Sequence, residues 1–377
     1  MAATSGDATS PPYDVIDAAD RLHLLERSPY NVVRLLLAEP DDARYQRAAA
    51  LLASWRADEL LRPDAGPRFY QYEMDYRRPD GVEVTARGVV GALHLEPLGD
   101  RVLPHEETMA KHRADRMAVL TATEANVDLI VALSASPDLG ALLSPIEEPR
   151  LDFEVDGVRH RLADVTDPDL VAAISAAVAD HPISIADGHH RYTTALAYRE
   201  LRAGDGMEGA EAGIMALVAP AEGSGLRVAP YHRIFGSVGF DSAQLAEAFE
   251  INRIEPAEPD EPGTLVVVSA GQSLFLRARR DRLDALPRPW QQASTAVARE
   301  ILYPLIGVEE GVAEYTPDWE RAVAEARARE GLAVLMAPVS EEGISAASSA
   351  GLLFPQKSTF FTPKPRAGLV MRVFDTP

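Results

Sequence analysis

The chain has 377 residues, enough for two or three modest domains or one large one. Its 46% apolar and 25% charged residues are the composition of an ordinary globular protein. The 58 acidic residues against 37 basic ones give a formal charge of −21, which disfavours nucleic acid and anionic lipid as partners. There is no cysteine, which excludes a disulfide framework, a thiolate zinc site and a cysteine nucleophile. The opening MAATSGDATS has neither a basic nor an apolar segment, and no stretch approaches about 18–20 uninterrupted apolar residues. No secretory signal and no membrane span are therefore expected, and a cytoplasmic location is.

In chain order, 17–27 reads as a helix, NVVRLLL (31–37) as a buried strand, and 42–61 as an amphipathic helix with Tyr45, Ala48, Ala49, Leu52 and Trp55 on one stripe. Alternating residues around RRPDGV predict a hairpin over 69–93. A helix is expected from Glu106 to Leu120, then a strand over 127–133. LDFEV-DG-VRHRL (151–162) predicts a second hairpin, its Asp156-Gly157 pair suited to a type I′ turn. A helix over 167–180 and a strand over 182–186 lead into DGHHR (187–191), which opens a helix reaching about Leu201. Strands follow at 213–219 and 226–231, a hairpin around Gly271, helices at 290–303 and 317–330, and a strand at 332–338. The proline- and acid-rich 251–263 reads as a linker or long loop between a core over 1–250 and a C-terminal portion over 264–377. Together these elements predict an α/β (mixed α+β) fold rich in antiparallel hairpins.

The motif at 187–191 carries the chemistry. Asp187 is suited to cap the helix and Gly188 lets the chain turn closely. His189, His190 and Arg191 then occupy a first turn whose amides point out of the helix end, a ready anion site, with an arginine fork beside it. Adjacent histidines lie about 100° apart around a helix, so they do not converge on one metal. Four more stretches supply candidates. In LPHEET (103–108), Glu106 and Thr108 sit near His105, and Lys111 is expected in i,i+4 pairs with Glu107 and Asp115. His105 and His112 are too far apart along a helix for one metal, and HEETMAKH is not the HExxH of zinc proteases. SPPYDVID (10–17) presents Tyr13 and Asp14, PYHRIF presents His232 and Arg233, and FPQKSTFFTPKP presents Lys357, Ser358, Thr359 and Lys364.

PPYDVI (11–16), SPYNVVRL (28–35), LPHEET, the T-x-x-x-A-N segment ending at Asn126, IADGHHRY (185–192), PYHRIF (230–235) and PQKSTFFTPKP (355–365) resemble the successive signature blocks of the domain of unknown function 1015 family. Members usually carry a strand-forming segment before the first block. Only ten residues precede it here, so either that strand is absent or the chain starts late. The D-G-H-H-R turn is also similar to the nucleotide-binding turn of the ParB/sulfiredoxin superfamily, whose free serine kinases add an upstream glutamate as base. This likeness implies a ParB/sulfiredoxin-like nucleotide-binding core. It implies that Gly188, His189, His190, Arg191 and Thr108 hold a nucleotide, ATP or another, and that Asp187 binds Mg²⁺ or positions the phosphoryl group.

Glu106 is then the base, with His190 neutralising developing charge. Tyr13, Asp14, His232, Arg233, Lys357, Ser358 and Thr359 are the candidates for contacting the acceptor. The expected activity is phosphoryl transfer to a small hydroxyl metabolite, free L-serine being the candidate that the likeness implies. Nucleotide hydrolysis and a non-catalytic nucleotide- or metabolite-binding module are the alternatives. Neither nucleic acid nor membrane is an expected partner, and the oligomeric state stays open.

Overall fold

The computed structural model describes residues 5–39, 41, 43–108, 110–203, 209–236, 238–269 and 271–374, and for residues 5 and 110–112 the backbone only. The expected pairs of Lys111 and the side chain of His112 lie outside the described residues. The chain forms two compact units. The first comprises Met1–Leu103, Met109–Leu226 and Pro363–Pro377; the second comprises Pro104–Thr108 and Arg227–Thr362.

The first unit is built on an eight-stranded mixed sheet: β1 (Phe69–Arg77), β2 (Glu83–His94), β3 (Val102–Leu103), β4 (Ile130–Ser134), β5 (Leu151–Val155), β6 (Val158–Val165), β7 (Ile183–Asp187) and β8 (Gly213–Pro220). Their order across the sheet is β3-β7-β4-β8-β2-β1-β6-β5. The β1–β2 and β5–β6 hairpins form one flank, all antiparallel. The β5–β6 turn has Asp156 at φ 54° and Gly157 at φ 75°, both in the left-handed region as a type I′ turn requires. Nearer the other flank, β4 runs parallel to β8 and antiparallel to β7, and β7, held between β4 and the two-residue edge strand β3, ends at Asp187.

Among the described residues of the first unit, five helices of ten residues or more accompany this sheet: α1 (Ala18–Arg27), α2 (Arg44–Ala57), α3 (Ala110–Thr123), α4 (Pro168–Ala179) and α5 (His189–Ala203). The Asp17 carboxylate accepts from the amides of Ala19 and Asp20 to cap α1, and Asp167 caps α4 through the Leu170 amide. Tyr192 and Ala195 of α5 and Ile174 of α4 pack with Ile130, Ile185 and Val218 of the sheet in one core. A second core gathers Val32, Leu35, Leu36, Leu52 and Trp55 around Tyr13.

The second unit holds an all-antiparallel sheet of β9 (His232–Phe235), β10 (Phe249–Arg253), β11 (Leu265–Ser269), β12 (Gln272–Ala278), β13 (Glu314–Thr316) and β14 (Leu332–Met336), ordered β10-β12-β11-β14-β9-β13. Successive side chains of a strand face opposite ways. Val266 and Val268 accordingly pack on Ala322, Val323 and Ala326 of α6 (Trp319–Ala328). Leu265 and Val267 pack with Val297, Leu302 and Tyr303. Burial on both faces explains the unbroken apolar run LVVV in the sequence.

The mixed α/β class is as expected, and four local expectations are corrected. Val33–Leu36 is a short helix, not a strand. A short run that is apolar at nearly every position has no readable period, and the Asn31 side chain accepts from the Val33 amide to start a helical turn. The helix expected from Glu106 begins at Ala110, because 105–107 pairs with Phe354: the Phe354 amide donates to His105 O, and the Glu107 amide to Phe354 O. The helix expected over 290–303 is a succession of short turns with a wide turn over Ala298–Leu302, just before Pro304, which has no N–H to continue a regular helix. Finally, the units divide between Leu226 and Arg227, and of 251–263 the first three residues end β10 while the rest is the loop to β11 within the second unit, so the loop reading holds and the linker reading does not. A proline-rich stretch marks irregular backbone, and surface loops satisfy that as well as linkers do.

One buried pair in the first unit sets a pH dependence. The Tyr72 hydroxyl accepts from the Arg366 amide at 3.2 Å and shares a 2.8 Å hydrogen bond with His160 Nδ1. Burial, aided by Arg366, pushes His160 down to about 4 from its ordinary 6.5. With the folded value depressed, the stabilisation is complete above pH 6.5 and is lost as pH falls toward 4. In urea unfolding, His160→Gln is expected to lose about 2 kcal/mol less stability than the parent chain between pH 7 and 4.5. Parallel losses in the two proteins would contradict this.

Candidate functional site

β7 ends at Asp187 and α5 starts at His189, so Gly188 alone makes the turn. Its φ is +95°, and an added Cβ would lie 2.7 Å from Ile130 Cγ2. Glycine is required there twice over, by backbone conformation and by space. Asp187 does not cap the helix. Its Oδ2 accepts from Arg191 Nη2 and its Oδ1 from Lys364 Nζ, each at 2.7 Å. Arg191 Nη1 reaches Asp128 Oδ2 at 3.1 Å and also donates to the carbonyl of Leu129. The side chains of Asp187, Asp128, Arg191 and Lys364 are all at most 13% exposed, so this is a buried, alternating chain of charges.

Tyr13 closes the cluster. The guanidinium of Arg116 lies 4.0 Å from its ring centroid and that of Arg191 5.9 Å. Burial, and the charge of Asp14 after it, push the Tyr13 hydroxyl up to about 12. Burial raises Asp128 above the usual carboxylate range despite Arg191 and Arg116. At Asp187 burial acts in the same direction, but Lys364 and Arg191 outweigh it and hold the carboxyl below its ordinary value. Arg191 is held protonated by Asp128 and Asp187 against its burial. Among the expected residues of the first unit, the fold thus brings Tyr13, Asp14, Asp187, Gly188, His189, His190 and Arg191 to one end of β7. Tyr13, His189 and Arg191 are buried, His190 is partly exposed and Asp14 is exposed. Arg116 and Asp128 belong to the same cluster and were not among the expected residues. The one signal was Asp128, a charge beside the apolar run LIVAL.

A different constellation lies in the second unit. Glu106 is in extended backbone, and its carboxylate receives three donors: the Lys357 amide at 3.1 Å, the Thr359 amide at 2.7 Å and Thr359 Oγ1 at 2.6 Å. His105 Nε2 lies 2.8 Å from the same Thr359 hydroxyl. Lys357 has φ 55°, a strained value for a residue with a side chain. Its amide is fixed by Glu106 and its carbonyl by Arg233 Nη1 at 3.0 Å. Its Nζ is 3.3 Å from the Tyr231 hydroxyl. Ser358 is 1% exposed and bonded to Thr295, while His232 and Arg233 are fully buried. His232 Nδ1 accepts from the Met336 amide, and Arg233 pairs with Glu310. Those three side chains therefore serve the interior of the second unit, whereas Lys357 and Thr108 are partly exposed. The block PQKSTFFTPKP is divided: Lys357, Ser358 and Thr359 belong to the second unit and Lys364 to the first.

Both oxygens of Asp187 are engaged by cations, and among the described residues no three acidic or histidine side chains are grouped to hold a metal.

The family model of DUF1015, described as a protein of unknown function, matches residues 3–301. The chain belongs to the DUF1015 family. No curated protein matches this DUF1015 chain. Solved structures similar to it include a conserved hypothetical protein from Pyrococcus furiosus, at 14% identity and TM-score 0.38, covering 74% of this chain and 91% of that one. A free serine kinase variant in complex with ADP is 12% identical with TM-score 0.40, covering 73% and 87%. C-terminally truncated SbnI from Staphylococcus aureus is 11% identical with TM-score 0.42, covering 74% and 85%. Among the described residues no helix is long and apolar enough to cross a membrane.

The charge chain makes a direct prediction for this DUF1015 protein. Lys364→Met leaves Asp187 buried with one cation in place of two, and is expected to cost about 2–4 kcal/mol at pH 7. Because Asp187 is held below its ordinary value, that stabilisation is complete above about pH 4 and is lost as pH falls further toward the depressed folded value. Guanidinium unfolding at pH 7 and at pH 3.5 should therefore show a penalty that shrinks in acid. Equal stability of the two proteins at pH 7 would remove the charge chain as a structural element.

Proposed function

We propose that this protein is a nucleotide-dependent phosphotransferase whose first unit binds nucleotide phosphates at the 187–191 turn. The observation that carries the reading is the buried chain Lys364–Asp187–Arg191–Asp128 around Gly188. It locks a strand-to-helix turn so that the first-turn amides of α5 and the partly exposed His190 are fixed before any ligand arrives. Such preorganisation is what phosphoryl transfer asks of a protein, since positioning and charge stabilisation supply most of the catalysis. In this reading Asp187 is a positioning residue for Arg191 and Lys364, and no step is routed through a protein-bound metal.

Glu106 serves as the base, its orientation set by the Lys357 and Thr359 donors. The acceptor oxygen attacks the terminal phosphorus as the bond to the bridging oxygen breaks, and the hydroxyl proton passes to a general base. The acceptor class is a small hydroxyl metabolite, with free L-serine the one that the D-G-H-H-R likeness singles out. ATP is the first nucleotide to test, with CTP and ADP beside it. The charge of −21 supports a small-molecule partner over a nucleic acid.

A second reading has its own observation. The three hydrogen bonds to Glu106 are also what a purely structural glutamate would make to hold a strained Lys357. The protein would then be a nucleotide-binding module without turnover.

Phosphorus NMR on the protein with ATP, magnesium and a pool of hydroxyl metabolites including L-serine separates the readings. The phosphotransferase reading expects a new phosphomonoester resonance. That resonance should fall at least about a hundredfold in rate with Glu106→Gln and in His190→Ala. Free phosphate alone would indicate hydrolysis, and intact nucleotide in every tube would leave the binding module.

A further inference from the structure

The first unit contains a cavity of about 400 Å³ that the nucleotide reading does not use. That volume is within the usual range of small-molecule sites, about 300–1,000 Å³. Leu22, Leu36 and Val119 are among its apolar walls, and Leu22 is 59% exposed and so open to a ligand entering from solvent. Three arginines line the same space: Arg21, Arg44 and Arg116. One lining carboxylate, Asp115, faces them, accepting from Arg44 Nη2 at 2.7 Å and paired with Arg116. The cavity is therefore net cationic in a chain of charge −21.

The guanidinium groups are only partly used. Arg21 donates through Nε to the Leu37 carbonyl and through Nη2 to Glu39. Arg44 donates through Nη2 to Asp115 and to the Tyr45 hydroxyl. Arg116 donates through Nε and Nη2 to Asp115 and through Nη2 to the Leu36 carbonyl, and its side chain is only 7% exposed. The Nη1 groups of all three make no hydrogen bond to a described residue. Donors left over around an apolar cavity are complementary to an anion, and guanidinium pairs with carboxylate, sulfonate or phosphate through parallel N–H bonds.

We infer that this cavity is a binding site for a small organic anion with an apolar ring or branched body, the body against Leu22 and Val119 and the acidic group on Arg21, Arg44 and Arg116. The inference stands apart from the nucleotide site, although Arg116 also stacks on the Tyr13 ring beside Arg191.

The probe is 8-anilinonaphthalene-1-sulfonate, an anionic ring system, titrated into the full chain beside the uncharged N-phenyl-1-naphthylamine. One saturable fluorescent site is expected, weakening with added salt and at least tenfold tighter for the sulfonate than for the neutral dye. Leu22→Trp, which fills the cavity from an exposed position, and Arg44→Met, which removes a cation, should each weaken sulfonate binding about tenfold or more. Ser175→Trp, in the separate apolar cavity beneath α4, should leave it unchanged. Equal affinity for the two dyes overturns the inference. So does binding that survives both cavity substitutions, or that is abolished by Ser175→Trp instead. Matching circular dichroism and thermal midpoints establish that each variant is folded.

Discussion

The nucleotide reading of the first unit depends on one buried carboxylate. Asp187 sits at the end of β7 with Arg191 on one oxygen and Lys364 on the other, each at 2.7 Å. An isolated carboxylate at that depth would be costly. With two cations it is retained in the ionised state, and it ties together segments far apart in the chain: the β7–α5 turn, the C-terminal segment bearing Lys364 and, through Arg191, Asp128 before β4. Buried ion pairs are weak contributors to net stability, since desolvation offsets most of their attraction. Their value here is geometric, because Arg191 cannot leave the turn without taking a cation from both Asp128 and Asp187.

Gly188 is the complementary constraint. The ion pairs require Asp187 and Arg191 one helical turn apart on the same side, which brings the backbone close to Ile130, and only glycine fits that approach at φ +95°. The Tyr13 ring then covers Arg191 and is itself covered by Arg116. The second unit shows the same economy around a different acid. Glu106 collects the amides of Lys357 and Thr359, and Arg233 collects the carbonyls of Tyr231, Gln356 and Lys357, so a strained loop is fixed from two sides.

Much of this was legible in the sequence where a residue has a single physical use. The Asp156-Gly157 pair between alternating runs specifies a hairpin, Asp167-Pro168 starts a helix, and an apolar run ending in Asp-Gly before a helical pattern specifies a strand-to-helix turn. The signature blocks marked the family before any fold was known. The failures share a cause, which is that the deciding partner lies far away in the chain. Glu106 looked like a first-turn acid of a helix because nothing local reveals that 105–107 pairs with Phe354. Asp187 looked like a helix cap because Lys364 is 177 residues away. Arg116 and Asp128 carried no motif, since their roles come from a meeting around Tyr13 that no spacing encodes. Val32 to Leu36 failed differently: a short run buried on all sides has no period to read.

The central claim is that nucleotide phosphates bind at the N-terminal turn of α5, and amide resonances at that turn report on it directly. The chain has nine histidines, so a sample labelled with ¹⁵N-histidine gives a spectrum simple enough to assign by single His→Gln variants. Titration with ATP and with ADP is expected to shift the amides of His189 and His190 saturably, while that of His160, enclosed by Tyr72 and Phe153, stays in place. Unmoved resonances for His189 and His190 at saturating nucleotide would contradict the account and leave the turn a structural element of the first unit.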